Sequence, residues 1–127
     1  MRYRVLLFCC LATPFASSVA AQEGDATAGA TVFKKCSACH VADTDKNKVG
    51  PSLNGVFGRK AGTHPDFNYS SAMKEAGEGG LVWDDASLRD YLHSPRAKVK
   101  GTKMAFAGIK NDDDITNLLA YLKQYSK

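Results

Sequence analysis

The sequence lacks a second long apolar run, an internal repeat, a low-complexity tract and any sustained strand alternation. With only one long apolar stretch, a multi-pass membrane protein is excluded. Apolar residues run through the whole chain at 44% of the total, which excludes wholesale disorder. The excess of basic residues is small, a formal +4, too little to diagnose nucleic-acid binding. Without strand patterning the expected class is all-α. The 127 residues are one domain's worth.

The single apolar stretch lies at the start. Arg2 and Arg4 precede the apolar run Val5 to Ala12, Pro14 breaks it, and small residues follow as far as Val19-Ala20-Ala21. This is the pattern of a secretory signal peptide over residues 1–21, cleaved before Gln22, with an uncleaved anchor as the alternative. Lipid attachment at Cys9 or Cys10 is disfavoured by Phe8, where a small residue is expected. Removing residues 1–21 from the 127 leaves a domain of 106, residues 22–127. Two arginines and no acids are lost, so the charge falls from +4 to +2.

The second shortage follows from the first. Of four cysteines, two go with the leader, leaving Cys36 and Cys39. Small secreted domains usually spend cysteines on disulfides. A pair two residues apart closes a loop too small to stabilise much.

Asp25 caps a first helix that contains Gly29, which costs about 1 kcal/mol there relative to alanine and implies close approach by another helix. Residues 43–68 read as a long loop. Ser70 or Ser71 starts a short helix through about Ala76, stopped by Gly77, Gly79 and Gly80. Asp84 or Asp85 caps a helix to about His93, with Leu88, Tyr91 and Leu92 on one face. Ser94-Pro95 reads as a cap and first-turn proline. Residues 98–110 read as loop. Asp112 to Asp114 open a last helix with an apolar stripe of Ile115, Leu118, Leu119 and Leu122. Five helices with such long loops need something large to pack on, and the missing disulfides leave a cofactor as the candidate.

Cys36-Ser37-Ala38-Cys39-His40 is C-x-x-C-H, the attachment signature of c-type haem. The gap sets two sulfurs along one porphyrin edge for two thioether bonds, and the following imidazole reaches the iron. A zinc site would need further ligands from His64 and His93, but no second C-x-x-C or spaced histidine pair exists. A thioredoxin-like pair would need a βαβ context. Of Met73 and Met104, Met104 lies in a segment without helical periodicity, so it is the better candidate for the second axial ligand. Met73 reads as packing. His64 and His93 read as solvated, with a bis-histidine site through His93 as a minor alternative.

The motif just given, with Val49-Gly50-Pro51-Ser52-Leu53-Asn54-Gly55-Val56-Phe57-Gly58-Arg59, Tyr91-Leu92, Pro95 and Gly101-Thr102-Lys103-Met104-Ala105-Phe106-Ala107-Gly108, resembles class I c-type cytochromes. The bacterial cytochrome c2 and mitochondrial cytochrome c branch is the nearest in pattern, from about Asp25 to Tyr125. The resemblance implies a cytochrome c fold, about five helices and long loops around one haem c bound through Cys36 and Cys39. It implies His40 and Met104 as iron ligands, with the Pro51 carbonyl accepting from His40. Arg59, Tyr69 and Trp83 match positions around the haem propionates, Tyr91 and Thr102 the methionine side, and Phe106 the exposed edge. Gly29 and Phe33 match residues crossing the last helix near Leu118 and Tyr121. Three departures stand out: Met73 where mitochondrial relatives have asparagine, a longer glycine-rich stretch over residues 75–81, and Lys100 in place of a proline.

The implied function is one-electron transfer by a monomeric periplasmic carrier, not an enzyme and not a nucleic-acid binder. Lys35, Lys48, Arg96, Lys103 and Lys110 lie in or beside the segments expected to frame the haem edge. They would steer acidic partners: a cytochrome bc-type donor, and a terminal oxidase or photosynthetic reaction centre as acceptor. A peroxidase would need an open distal position. A signalling haem module would need no basic face.

Overall fold

The computed structural model describes residues 23–126, so the leader expected over residues 1–21 lies outside them. Five helices follow in order: α1 (Ala26–Phe33), α2 (Ser71–Glu78), α3 (Asp85–His93), α4 (Pro95–Lys98) and α5 (Asp112–Lys123). Among the described residues the only β-type pairing is an isolated antiparallel bridge between Lys60 and Val82.

Each helix start has a local cause. The Asp25 carboxylate accepts from the N–H groups of Thr27 and Ala28. The Ser70 hydroxyl accepts from Met73 N–H. Asp84 and Ser87 exchange bonds in a capping box. Pro95 sits in the first turn of α4, where its missing N–H costs nothing, but the expected Ser94 side-chain cap does not form. The cap of α5 is Asn111, accepting from Asp113 and Asp114 N–H, so the three aspartates occupy the first turn behind it. The helix α2 runs past the expected stop at Ala76. Gly77 lies inside it, because a Cβ there would drive into the Ala61 backbone carbonyl. That glycine serves a close approach, and the stop comes at Gly79, followed by Gly80 at φ 104.

The two ends of the domain meet. Gly29 lets α1 settle on the backbone of α5, where a Cβ would meet the Asn117 carbonyl. Asp25 N–H donates to Asn117 Oδ1 at 2.9 Å, and the Phe33 and Tyr121 rings stack with centroids 5.1 Å apart. Ile115, Leu118, Leu119 and Leu122 are at most 2% exposed. Burying each such side chain contributes about 1.5–3 kcal/mol. Leu88, Tyr91 and Leu92 of α3 close the third side of the core.

The long loop over residues 34–70 is held by its own polar groups. Asn54 Nδ2 donates to Ala42 O at 2.9 Å, Asn47 Nδ2 to Pro65 O at 2.9 Å, and Ser52 Oγ donates to Thr44 O. Gly58 N–H donates to Trp83 O at 2.7 Å, and Trp83 N–H returns to Arg59 O at 2.9 Å. These bonds strap the loop to the segment before α3, and together they wall a cavity.

Candidate functional site

The cavity measures about 300 Å³ and is lined mainly by apolar side chains. Its wall begins where α1 ends. Successive turns bring Cys36 N–H and Ser37 N–H onto Phe33 O, at 2.8 and 3.0 Å, and Cys39 N–H and His40 N–H onto Cys36 O, at 3.0 and 2.9 Å. This coil places Cys36, Cys39 and His40 together on the cavity lining. Both thiols are free. Burial pushes Cys36 up to about 11, against the opposing pull of Lys35.

His40 Nδ1 lies 2.8 Å from Pro51 O. A carbonyl can only accept, so Nδ1 carries the proton and Nε2 is left with its lone pair. Burial lowers the His40 pKa, the Pro51 bond opposes this, and Lys48 adds to the lowering. The net result is the neutral imidazole a metal requires. Gly50 lies flat against the ring: a Cβ there would overlap His40 Cε1 and stand 2.7 Å from Nδ1. The sequence reading gave Gly50 no role, although it stands beside Pro51 in a quoted motif.

Met104, from the loop after α4, lines the same cavity as His40. Its N–H donates to Thr102 Oγ1 at 3.3 Å, and that hydroxyl is 2.7 Å from Tyr91 OH. Tyr91 is buried, which raises its pKa against the Thr102 bond, and its ring centroid lies 5.0 Å from that of Trp83. Met73 of α2, expected as packing, is 8% exposed and lines the same cavity.

Arg59, Tyr69 and Trp83 all reach the lining. The Arg59 guanidinium donates to Ser52 O at 2.7 Å and Asn54 O at 2.5 Å. Burial lowers the Arg59 pKa, with Tyr69 and then Asp45 acting the other way. A guanidinium has five N–H donors, so it has capacity left for an anion. Phe67, unassigned in the sequence, packs edge-on to Tyr69 at 4.8 Å and lines the cavity too.

Lys35 and Lys103 line the cavity, whereas Lys48, Arg96 and Lys110 do not. Lys48 Nζ donates to Ser37 O at 2.7 Å within the cysteine motif, and Lys110 Nζ to His93 O at 3.2 Å. Arg96 is exposed on α4. Val49 lines the cavity yet is 78% exposed, which marks where the cavity meets solvent. His93 is exposed and absent from the lining, which leaves no bis-histidine arrangement through it. His64, expected as solvated, keeps only 9% of its side chain exposed.

Two thiols and a neutral imidazole on one wall, a thioether in the same space and an apolar interior fit a porphyrin bound by two thioether links and two axial ligands. The model of the family described as Cytochrome c matches residues 26–126. Cytochrome c2 of Agrobacterium tumefaciens (strain II Chrys) is 55% identical over 101 residues, covering 79% of this chain and 91% of that protein. Cytochrome c-550 of Bradyrhizobium diazoefficiens is 52% identical over 103 residues, covering 80% and 74%. Among solved structures, cytochrome c2 from Rhodospirillum centenum superposes with a TM-score of 0.78 at 41% identity, covering 82% of this chain and all of that one.

Proposed function

The chain belongs to the cytochrome c family, and from that premise we propose that it is a periplasmic carrier whose haem is ligated by His40 and Met104. It holds haem c covalently and serves electron transfer, not catalysis. The observation that carries the reading is the meeting of Cys36, Cys39, His40 and Met104 on one cavity, with His40 Nδ1 committed to Pro51.

Bound haem supplies a one-electron ferrous/ferric couple. The residues set its terms. Cys36 and Cys39 provide the two sulfurs for covalent attachment. Pro51 O orients the His40 ring and raises its basicity as a ligand. Met104 would supply the second protein ligand to the iron and so keep peroxide away from it. A thioether ligand and an apolar cavity both disfavour the added charge of the oxidised state, which raises the potential. Arg59, Tyr69 and Trp83 supply donors for the haem carboxylates. Val49 marks where the cavity opens to solvent and so where an electron would leave, and Lys35 and Lys103 line the same cavity. Lys48, Arg96 and Lys110 extend the basic charge that steers acidic partners. The donor is a cytochrome bc-type complex, and the acceptor a terminal oxidase or photosynthetic reaction centre.

The ferric holoprotein at neutral pH should show the weak sulfur–iron charge-transfer band. In Met104→Ala that band should vanish, the potential should fall and peroxidase activity should appear. A wild-type spectrum without the band, or a variant with unchanged potential, removes Met104 from the ligand set.

A further inference from the structure

Three bonds fasten the stretch Lys48-Val49-Gly50-Pro51 to the haem-binding motif. Pro51 O accepts from His40 Nδ1 at 2.8 Å, and Gly50 N–H donates to Cys39 O at 2.8 Å. Both use backbone groups of the stretch. The third uses a side chain: Lys48 Nζ donates to Ser37 O at 2.7 Å. A lysine ammonium on its flexible stem usually stays with water. Lys110 Nζ and Lys103 Nζ also reach backbone carbonyls, at 3.2 and 3.4 Å, both longer than the Lys48 bond. Lys48 forms no ion pair among the described residues, so Ser37 O is the partner its charge has.

The place of that bond matters. Ser37 lies between the two cysteines, and its hydroxyl donates back to Lys34 O at 3.0 Å. Lys48 therefore grips the segment that spaces the two sulfurs, while Gly50 and Pro51 grip the residues that follow it. The bond also pins a full positive charge to the motif. The His40 ring feels that charge, which adds to the lowering of its pKa. A fixed positive charge beside the ligand opposes the added charge of ferric iron more than it opposes the ferrous state.

We propose that Lys48 is a positioning residue of the haem site: its ammonium, bonded to Ser37 O, locks the segment between the two cysteines and raises the reduction potential. The proposal rests on the electron-carrier reading and goes beyond the steering given to Lys48 there. No ligand or proton changes place. The bond fixes the motif, and the charge favours the ferrous form. Because Lys48 is exposed, the charge effect is small and weakens as salt rises.

The test compares the holoproteins of Lys48→Met, Lys48→Arg and Lys46→Met with wild type. Lys46 is an exposed lysine of the same loop whose backbone N–H donates to Thr44 Oγ1, so its loss removes the same charge without touching the motif. Voltammetry at low and high salt reads the potential. Hydrogen exchange in the ferrous state reads the Gly50 amide, which is bonded to Cys39 O. In Lys48→Met the equilibrium with a redox mediator should move about two- to fourfold toward the ferric form at low salt. The Gly50 amide should exchange faster. Lys48→Arg keeps charge and donor and should restore both readings. Lys46→Met should move the equilibrium less and leave the Gly50 amide as in wild type. Equal shifts in Lys48→Met and Lys46→Met overturn the proposal, as does unchanged Gly50 exchange in Lys48→Met. A wild-type potential in Lys48→Met, with slower transfer to an acidic partner, overturns it too and leaves Lys48 as a docking residue alone. If Lys48→Met fails to take haem, Lys48→Gln is read in its place, and a wild-type potential there overturns the proposal. A protein with no reversible one-electron couple overturns the carrier reading itself, a result distinct from an unshifted couple.

Discussion

Replacing Gly50 with alanine probes the anchoring of His40 without touching a ligand. Gly50 has no left-handed backbone angle, so alanine fits its backbone. Stiffening the unfolded chain would then favour the variant by about 0.4–1 kcal/mol. Packing opposes this. The new Cβ would overlap His40 Cε1 and stand 2.7 Å from Nδ1 and 2.9 Å from Nε2. Neither partner yields easily. The ring is bonded to Pro51 O at 2.8 Å, and Gly50 N–H is bonded to Cys39 O at 2.8 Å. Relief of the overlap costs about 1–3 kcal/mol, and loss of the imidazole–carbonyl bond adds about 0.5–1.5 kcal/mol. The net destabilisation is about 2 kcal/mol, a fall in Tm of roughly 8–16 °C for a domain of this size. Thermal unfolding of the ferric holoprotein, followed by circular dichroism, measures it. Losing the Pro51 acceptor also makes the imidazole a weaker donor, so voltammetry should give a higher potential. Gly79→Ala is the control, since its Cβ would come no closer than 3.3 Å to its nearest neighbour, Glu75 O, and it should leave both quantities nearly unchanged. A Gly50→Ala protein as stable as wild type, with the same potential, would refute this account of the His40 wall.

Gly29→Ala should lower the unfolding midpoint despite the better helix propensity of alanine, because the opposing atom is the Asn117 carbonyl; about 1–3 kcal/mol by denaturant titration is expected. Asp84 accepts from Ser87, which holds its carboxyl below the usual carboxylate range. Its contribution is complete above the carboxylate's unfolded pKa and fades as acid protonates the folded form. Asp84→Ala should therefore lose stability at pH 7, and the gap to wild type should narrow below about pH 4 in acid-unfolding curves. Lys35→Glu and Lys103→Glu should slow electron transfer with an acidic redox partner, and the slowing should shrink as ionic strength rises in stopped-flow traces. Salt-independent rates for wild type would count against the basic face.

The haem motif, the helix caps at Asp25, Ser70 and Asp84 and the stripe on α5 were legible because each is a pattern within a few residues of chain. Gly29 was legible too, since a glycine inside a helix calls for an explanation. Gly77 misled for the opposite reason. Its local context, with Gly79 and Gly80, is a stop signal, and only the distant Ala61 carbonyl shows that it is a contact. Asn111 was overlooked beside three aspartates that suit a helix start equally well by composition. His64 meets Asp45 and Tyr69 from separate stretches of loop, which no periodicity records. Gly50 and Phe67 belong to that loop as well, where long-range bonds such as Asn47 to Pro65 decide position.

The crossing of α1 and α5 has a consequence for the order of events as the chain is made. It joins residues near 30 to residues near 120, a pairing of high contact order that closes slowly. Synthesis from the N-terminus delivers the two cysteines early and α5 last. Before the chain folds, Cys36 escapes the burial that later pushes it up to about 11. Its sulfur is therefore most reactive in the unfinished molecule. Covalent attachment through Cys36 is thus easiest before the fold closes over it.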